Sequence, residues 1–493
     1  MADEAGPVAR GHAATVGRGL RRHWLIAALL VLAAALRAVV LAAYRPALIF
    51  PDSDRYLRYA ARFAAGHWSP DTIRPSGYSI MIIPAAGLHS LILVPVVQHL
   101  LGLAAGAAIY ALLVHFGSRR WLAALAAVPV LFDPLELDLE QYVLSDVAAA
   151  LLVFAGLAVL VWRGSRLGRV AAAGAGLLLG AAVVTRVADL ALIVPALLYL
   201  ALAVRPGRRL ASRAALVAGC FLLPVLGYAG WYASAHGSFG LTGYNGTFLY
   251  GRVVDFADCQ GLSLPADERP LCPREPPGQR NYDAYMWSVY SPAWTFKPPA
   301  GQTRQSVLLN FSTRVLEHQP QDYFKAVGAD LAYGFSPVRG NGPERYPVTY
   351  LKFQTQLMPY AEVQPDVRQY GHTSPAVQPQ LARFLSGYGR YCYVPGPVLA
   401  FCLLIALAGL TPMARRSRGR GLRTANLAFT GSAVTALVAA AAFAPFDWRY
   451  QLPQLTLIPV AAGLAVTALT ARRSPSPDPA VQPGQAAPAL RRR

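Results

Sequence analysis

WLIAALLVLAAALRAVVLAA, from Trp24 to Ala43, followed after a short link by Asp52-Ser53-Asp54-Arg55-Tyr56, is the stretch from which the fold can be read. A run of this length with one charge, Arg37, forms a helix of about 30 Å, the thickness of the hydrocarbon layer of a bilayer. Arg18, Arg21 and Arg22 precede it, as basic residues precede a signal peptide, but the run is longer than a cleaved apolar region and contains an arginine. It is read as a retained first span, with the basic residues 1–23 on the cytoplasmic side. Similar runs recur along the 493 residues, 55% of which are hydrophobic and 14% charged. The expectation is an all-α polytopic membrane protein, because a helix satisfies its own backbone where water is absent.

Working outward, hydropathy predicts ten spans, at 24–43, 91–116, 121–132, 143–162, 170–184, 187–204, 214–233, 393–411, 426–443 and 452–471. The apolar segment from Ser79 to Leu88 is too short to cross and reads as an interfacial or re-entrant piece. Ten spans place both termini and every arginine-dense short link on one side: Arg119-Arg120, Arg163 to Arg169, Arg205 to Arg213, and Arg415 to Arg423. The positive-inside rule makes that side cytoplasmic. The net charge of +20 therefore reports topology and anionic lipid headgroups rather than nucleic acid.

The opposite face collects the polar turns: the outer loop 44–90, the acidic turn from Asp133 to Glu140, Thr185-Arg186, a large region 234–391, and Asp447-Trp448-Arg449-Tyr450. The chain divides into a membrane module 24–233, an extracytoplasmic domain 234–391, a second membrane module 392–471, and a Pro-, Ala- and Ser-rich tail 472–493 that is expected to be disordered. In the outer loop, Tyr56, Leu57, Ala60 and Phe63 share a helical face opposite Arg55, Arg58 and Arg62, a pattern that suits a helix lying in the headgroup layer. In the large domain a helix is expected from Val307 through Ala332, with Phe311, Val315, Tyr323, Phe324 and Val327 on one stripe. Cys259 and Cys272 share that domain and would form a disulfide if it faces an oxidising exterior. The Ala- and Arg-rich composition suggests a bacterium, and hence its inner membrane.

The residues able to carry chemistry crowd into the outer loop. Asp52 is suited to take a proton from an acceptor hydroxyl while nearby arginines neutralise a phosphate. Asp52, Ser53 and Asp54 are equally suited to cap the helix that follows. Asp52-Ser53-Asp54 also has the form of a metal-binding Asp-x-Asp, and the Asp133 to Glu140 turn offers oxygen ligands, so a divalent cation is an option though not a requirement. The other reading of that turn is a solvated acidic surface. Arg186 either meets a phosphate or pairs with Asp189 three residues on. Arg37 either snorkels, forms a structural pair or touches substrate.

In order and spacing these residues resemble the GT-C membrane glycosyltransferases, specifically the bacterial branch of protein mannosyltransferases and lipid A aminoarabinose transferases. Asp52, Arg55 and Tyr56 match an Asp-x-x-Arg-Tyr pattern after the first span. Arg74-Pro75-Ser76-Gly77-Tyr78-Ser79 resembles Arg-Pro-Pro-Gly-Tyr-Pro, with Ser76 and Ser79 in place of prolines. Leu144-Ser145-Asp146 stands where relatives have Ser-Glu, Thr185-Arg186 resembles their Thr-Arg turn, and Arg449-Tyr450 with Pro453 their Arg-Tyr-x-x-Pro. The resemblance implies an inverting transfer from a polyprenyl-phosphate sugar to a glycan, lipid or protein acceptor at the outer face. Asp52 would be the base, Arg74, Arg55 and Arg186 would hold the donor phosphate, and Asp54, Tyr56, Tyr78, Asp146, Arg449 and Tyr450 would line the site. The rival expectations are a transporter or flippase of a lipid-linked glycan and a non-catalytic scaffold of envelope assembly. A transporter predicts polar residues at mid-span and repeat symmetry, and here the polar residues gather at one face.

Overall fold

The computed structural model describes residues 22–341, 346–357, 364–371, 375–411 and 420–470. Most of the basic N-terminus, most of the 412–424 link and the 472–493 tail lie outside them. Each of the ten apolar runs forms a helix, in order Trp24–Ala43, Leu93–His115, Arg120–Phe132, Asp146–Trp162, Arg169–Thr185, Ile193–Ala203 after a 3-10 turn Val187–Leu192, Arg208–His236, Gly396–Ala408, Arg420–Phe443 and Leu452–Thr470. Five are individually long and apolar enough to cross a membrane, and a sixth arises if Pro379–Tyr391 and Gly396–Ala408 are joined across a 49° bend. The remaining four are apolar helices of at most 17 residues, short of a full crossing. The protein is an all-α polytopic membrane protein.

The last helix, Leu452–Thr470, is buried along nearly its whole length, and Leu93–His115, Arg120–Phe132, Asp146–Trp162, Gly396–Ala408 and Arg420–Phe443 pack around it. Its Ala461, Ala465 and Gly463 keep backbones close, the usual basis of helix association where lipid removes the hydrophobic drive. At one end of the bundle a second apolar core gathers the loops, from Tyr44 through Leu57, Tyr78 through Val94, and Leu135 through Val147. A two-stranded antiparallel pair, Tyr44–Arg45 with Ala376–Val377, ties the large domain to the end of the first helix.

Three expectations are corrected here. The helix Ser53–Ala64 does exist, but its apolar face does not rest on headgroups: Tyr56, Leu57, Ala60 and Phe63 are buried in protein, and Tyr370 donates to the Leu57 carbonyl at 2.7 Å. The single helix 307–332 is two, Arg304–His318 and Pro320–Tyr333, because Pro320 has no amide to continue the ladder and starts a new helix instead. Its stripe is split accordingly, with Phe311 and Val315 in the core of the large domain and Phe324 exposed. Cys259 and Cys272 are joined in that domain.

The third correction concerns the acidic turn, which is buried and not a solvated surface. Asp133 caps the helix Pro134–Gln141, whose residues are all buried. Asp133 receives two hydrogen bonds from the Arg339 guanidinium, at 2.7 and 2.9 Å. Glu140 receives Arg37 at 2.7 Å and meets His99 Nδ1 at 2.6 Å. Arg37 also donates to the carbonyls of Leu131 and Val130 at 2.8 and 3.0 Å, so it is a structural pair and does not snorkel. Burial pushes the Asp138 carboxyl well above the usual range.

This buried pair requires Gly102. A Cβ there would collide with the Glu140 carboxylate and stand 2.8 Å from Arg37 Nη2. Gly102→Ala is expected to cost about 3 kcal/mol, the scale on which breaking a buried ion pair is felt. Thermal unfolding in detergent checks it, and an unchanged midpoint would show that the pair can shift aside.

Candidate active site

Asp52 holds the position before the first turn of Ser53–Ala64, yet its carboxylate makes no capping hydrogen bond. Ser53 takes the local work: its hydroxyl accepts from the Phe50 amide at 2.9 Å and donates to the Val143 carbonyl at 2.9 Å. That leaves the Asp52 carboxylate, 17% exposed, to receive Arg74 Nη2 on one oxygen at 2.9 Å and Arg449 Nη1 on the other at 3.3 Å. Burial alone would raise its pKa, but the two guanidinium groups outweigh it and hold the carboxyl below the usual range.

Arg449 extends the cluster. It lies 3.7 Å from Asp146, and its Nε donates to Asp447 at 2.9 Å. Arg186 donates to the other Asp146 oxygen at 2.8 Å, so its partner is Asp146 and not Asp189. The result is an alternating chain Arg74, Asp52, Arg449, Asp146, Arg186, with Asp447 bracing Arg449. Secondary structure favours each placement. Asp146 opens the helix Asp146–Trp162, where the dipole stabilises an anion, and Arg186 ends Arg169–Thr185, where it stabilises a cation. Aromatic faces carry the guanidinium groups: Arg449 lies 4.8 Å from the Phe50 ring, Arg74 5.4 Å from Phe248 and Arg186 5.2 Å from Tyr450.

The loop before Gly77 explains how Arg74 is presented. Asp71 accepts from the amides of Ile73 and Arg74 at 3.1 and 3.3 Å and from Arg55 Nε at 2.7 Å. Ser76 accepts from the Asp71 amide at 3.0 Å, and its own amide donates to the Tyr228 hydroxyl at 3.2 Å. A proline at 76 would have neither the hydroxyl nor the amide, so the departure from Arg-Pro-Pro-Gly anchors this loop to the helix Arg208–His236. Gly77 sits against the backbone of Val184 and Thr185 with no room for a Cβ, which holds Arg74 next to the Arg186 end of its helix.

Of the residues expected in the site, Asp52, Arg74, Asp146, Arg186, Arg449 and Tyr450 come together. Arg55 does not, because Asp71 draws it to the other side of the loop. Asp54 turns toward Arg58 and Asp366, and burial and Asp366 push its carboxyl up to about 7. Asp52 and Asp54 therefore point apart, and Asp-x-Asp does not converge as a ligand pair. Among the described residues no group of three or more His, Cys, Asp or Glu side chains is arranged to hold a metal. Tyr56 and Tyr78 form the buried floor: their rings meet edge to face at 4.9 Å, with the Tyr56 hydroxyl 3.0 Å from Ser145 and Tyr78 donating to Gln98 at 2.8 Å.

Sequence reasoning missed Asp71, Phe248 and Asp283, and placed Asp447 on the outer face without a role in the site. Asp71 and Asp447 stand beside motif residues and were legible as neighbours. Asp283, on the short helix Tyr282–Trp287 of the large domain, carries no signal. Burial, Asp52 and Asp447 push its carboxyl up to about 6, which places a further acid from that domain within electrostatic reach of Asp52.

No protein-family model and no curated protein matches the chain. Solved structures do. The Archaeoglobus fulgidus oligosaccharyltransferase in its apo form is 15% identical with a TM-score of 0.43, over 90% of this chain and 50% of that one. The archaeal oligosaccharyltransferase AglB from Archaeoglobus fulgidus, in complex with an inhibitory peptide and a dolichol-phosphate, is 14% identical with a TM-score of 0.42, over 91% and 50%. The S. cerevisiae protein O-mannosyltransferase Pmt1-Pmt2 complex bound to the sugar donor is 16% identical with a TM-score of 0.35, over 48% and 36%. The chain spans half or less of the length of each.

Proposed function

We propose that the protein is an inverting glycosyltransferase that moves a sugar from a polyprenyl-phosphate donor to an acceptor hydroxyl at the extracytoplasmic face of a bacterial inner membrane. The observation that carries the reading is the Asp52 carboxylate held between Arg74 and Arg449, with Arg74 Nε buried and unpartnered among the described residues. A buried donor without an acceptor costs free energy unless a ligand takes it, and a phosphate oxygen is the acceptor that a guanidinium fits best. The count of spans in the sequence puts the arginine-dense links on the side opposite this loop, and the joined Cys259 and Cys272 suit an oxidising compartment, both of which support the outer face.

In this mechanism the acceptor oxygen attacks the anomeric carbon as Asp52 takes its proton. The bond from that carbon to the phosphate oxygen breaks on the opposite face, and polyprenyl phosphate leaves with the electron pair. A carboxylate held by two arginines is a weak base. The donor phosphate corrects this by competing for Arg74, which frees one Asp52 oxygen and raises its basicity once the donor is bound. Arg186, pinned by Asp146, supplies fixed positive charge, and Asp447 keeps Arg449 in place. The large domain closes over the site and selects the acceptor.

The test is transfer from labelled polyprenyl-phosphate sugars by purified protein. Arg74→Ala is expected to raise KM for the donor by about tenfold or more, the value of one charge-assisted hydrogen bond. Donor binding equal to wild type would remove Arg74 from the role and with it the reading of the unpartnered Nε.

A further inference from the structure

A second cavity, of about 600 Å³, opens between the last turn of Trp24–Ala43 and the first turn of Leu93–His115. It is away from the Asp52 cluster and shares no residue with it. Its walls are of two kinds. Leu41, Ile92 and Val96 give an apolar cleft between two membrane helices, while Arg45, His89 and Ser90 line it where the chain leaves those helices.

Arg45 and Ser90 are donors without acceptors. Arg45 is exposed and makes no ion pair or side-chain hydrogen bond among the described residues, although its backbone is fixed by pairing with Ala376. His89 donates Nδ1–H to the Gln369 carbonyl at 2.9 Å, which fixes the ring at the rim. The Ser90 hydroxyl has no partner among the described residues either. His89 is the one non-glycine residue with a positive φ, 47°, among the described residues. That conformation is uncommon for a side chain with a Cβ and persists where surroundings over-determine it. Gly371 packs on the His89 carbonyl, so the rim is built and not a passing loop.

We propose that this cavity is a binding site for an anionic phospholipid of the surrounding bilayer. A guanidinium and a hydroxyl at the ends of two spans stand at the level of lipid phosphates, and the apolar cleft beneath them runs along the helices as an acyl chain does. The phosphodiester sits against Arg45, with the Ser90 hydroxyl on another of its oxygens, and one acyl chain enters between Leu41 and Val96. The shared chemistry, a phosphate on a hydrocarbon chain, also describes a polyprenyl-phosphate donor. The commitment to a bilayer lipid follows from the absence of any residue of the Asp52 cluster from this cavity's lining. The site is independent of the transferase reading.

The experiment places the full chain in nanodiscs of phosphatidylcholine with and without phosphatidylglycerol, then measures retained lipid by native mass spectrometry after detergent extraction. Wild type is expected to retain phosphatidylglycerol. Arg45→Gln is expected to retain it about tenfold less, as one charge-assisted hydrogen bond is lost. Val96→Trp, which fills the cleft and leaves the rim charge, is expected to do the same, and unchanged far-ultraviolet circular dichroism establishes that both variants are folded. Equal retention by wild type and both variants would overturn the proposal. Displacement of phosphatidylglycerol by added polyprenyl phosphate, with matching loss in both variants, would overturn it in favour of a donor site.

Discussion

Asp52→Asn is expected to lower turnover by about a thousandfold, in the middle of the range that general base catalysis supplies. Asparagine keeps the shape of the side chain and one carbonyl oxygen for Arg74 or Arg449, so the loss should fall on kcat and leave donor KM within a few fold. The pH profile gives a second, sharper readout. Arg74 and Arg449 outweigh burial and hold the Asp52 carboxyl below its ordinary value, so Asp52 stays ionised through the neutral and mildly acid range. Its contribution to stability has the same sign: a depressed folded pKa stabilises the fold above the unfolded carboxylate value of about 3.9, and that stabilisation is lost as pH falls through the depressed value. A fall in rate near pH 6 therefore belongs to another group, and Asp283, pushed up to about 6 by burial and by the charges of Asp52 and Asp447, is the acid that the large domain contributes there. Asp283→Asn should flatten that limb, and the limb should survive in Arg74→Ala. Wild-type turnover in Asp52→Asn would end the general-base assignment.

The sequence carried the helices and the site unequally, for physical reasons. Spans are legible because a run of about 20 apolar residues is a local statement about solvent, and every one of the ten runs is a helix. Asp52, Arg74, Asp146, Arg186 and Arg449 were legible because each stands in an outer loop or at the end of a span on the same side of the count, and topology alone brings these turns together. Arg55 misled for the converse reason. Its place in Asp-x-x-Arg-Tyr says nothing about the direction of a long side chain, and Asp71, sixteen residues on, settles that direction. The acidic turn misled most. Four acids within eight residues look solvated when their partners are out of sight, and Arg339 lies 206 residues from Asp133. Asp283 had no local signature at all, since only the packing of the large domain carries it to Asp52.

The buried pair of Arg37 and Glu140 is where the largest stability effect is expected. Glu140→Leu leaves Arg37 with two backbone carbonyls and without its ion-pair partner, and leaves His99 with Gln141 alone. Removing one partner of a buried pair costs about 3 to 5 kcal/mol, because the remaining charge stays out of water. The double variant Arg37→Met with Glu140→Leu removes both charges and should recover most of that loss, since apolar residues of similar volume often replace a buried pair at little cost. Thermal unfolding of the two single variants and the double in one detergent gives the coupling, and losses that simply add would show that the pair is not a unit. The same series separates fold from chemistry. Glu140 reaches the site only through the backbone, where Gln98 donates to the carbonyls of Glu140 and Tyr142 at 2.8 Å and holds the turn that leads to Asp146. The folded fraction of Glu140→Leu should therefore keep a kcat within a few fold of wild type at low temperature and lose it only as the protein unfolds. A thousandfold loss in fully folded Glu140→Leu, matching Asp52→Asn, would place the pair in the chemistry instead of beneath it.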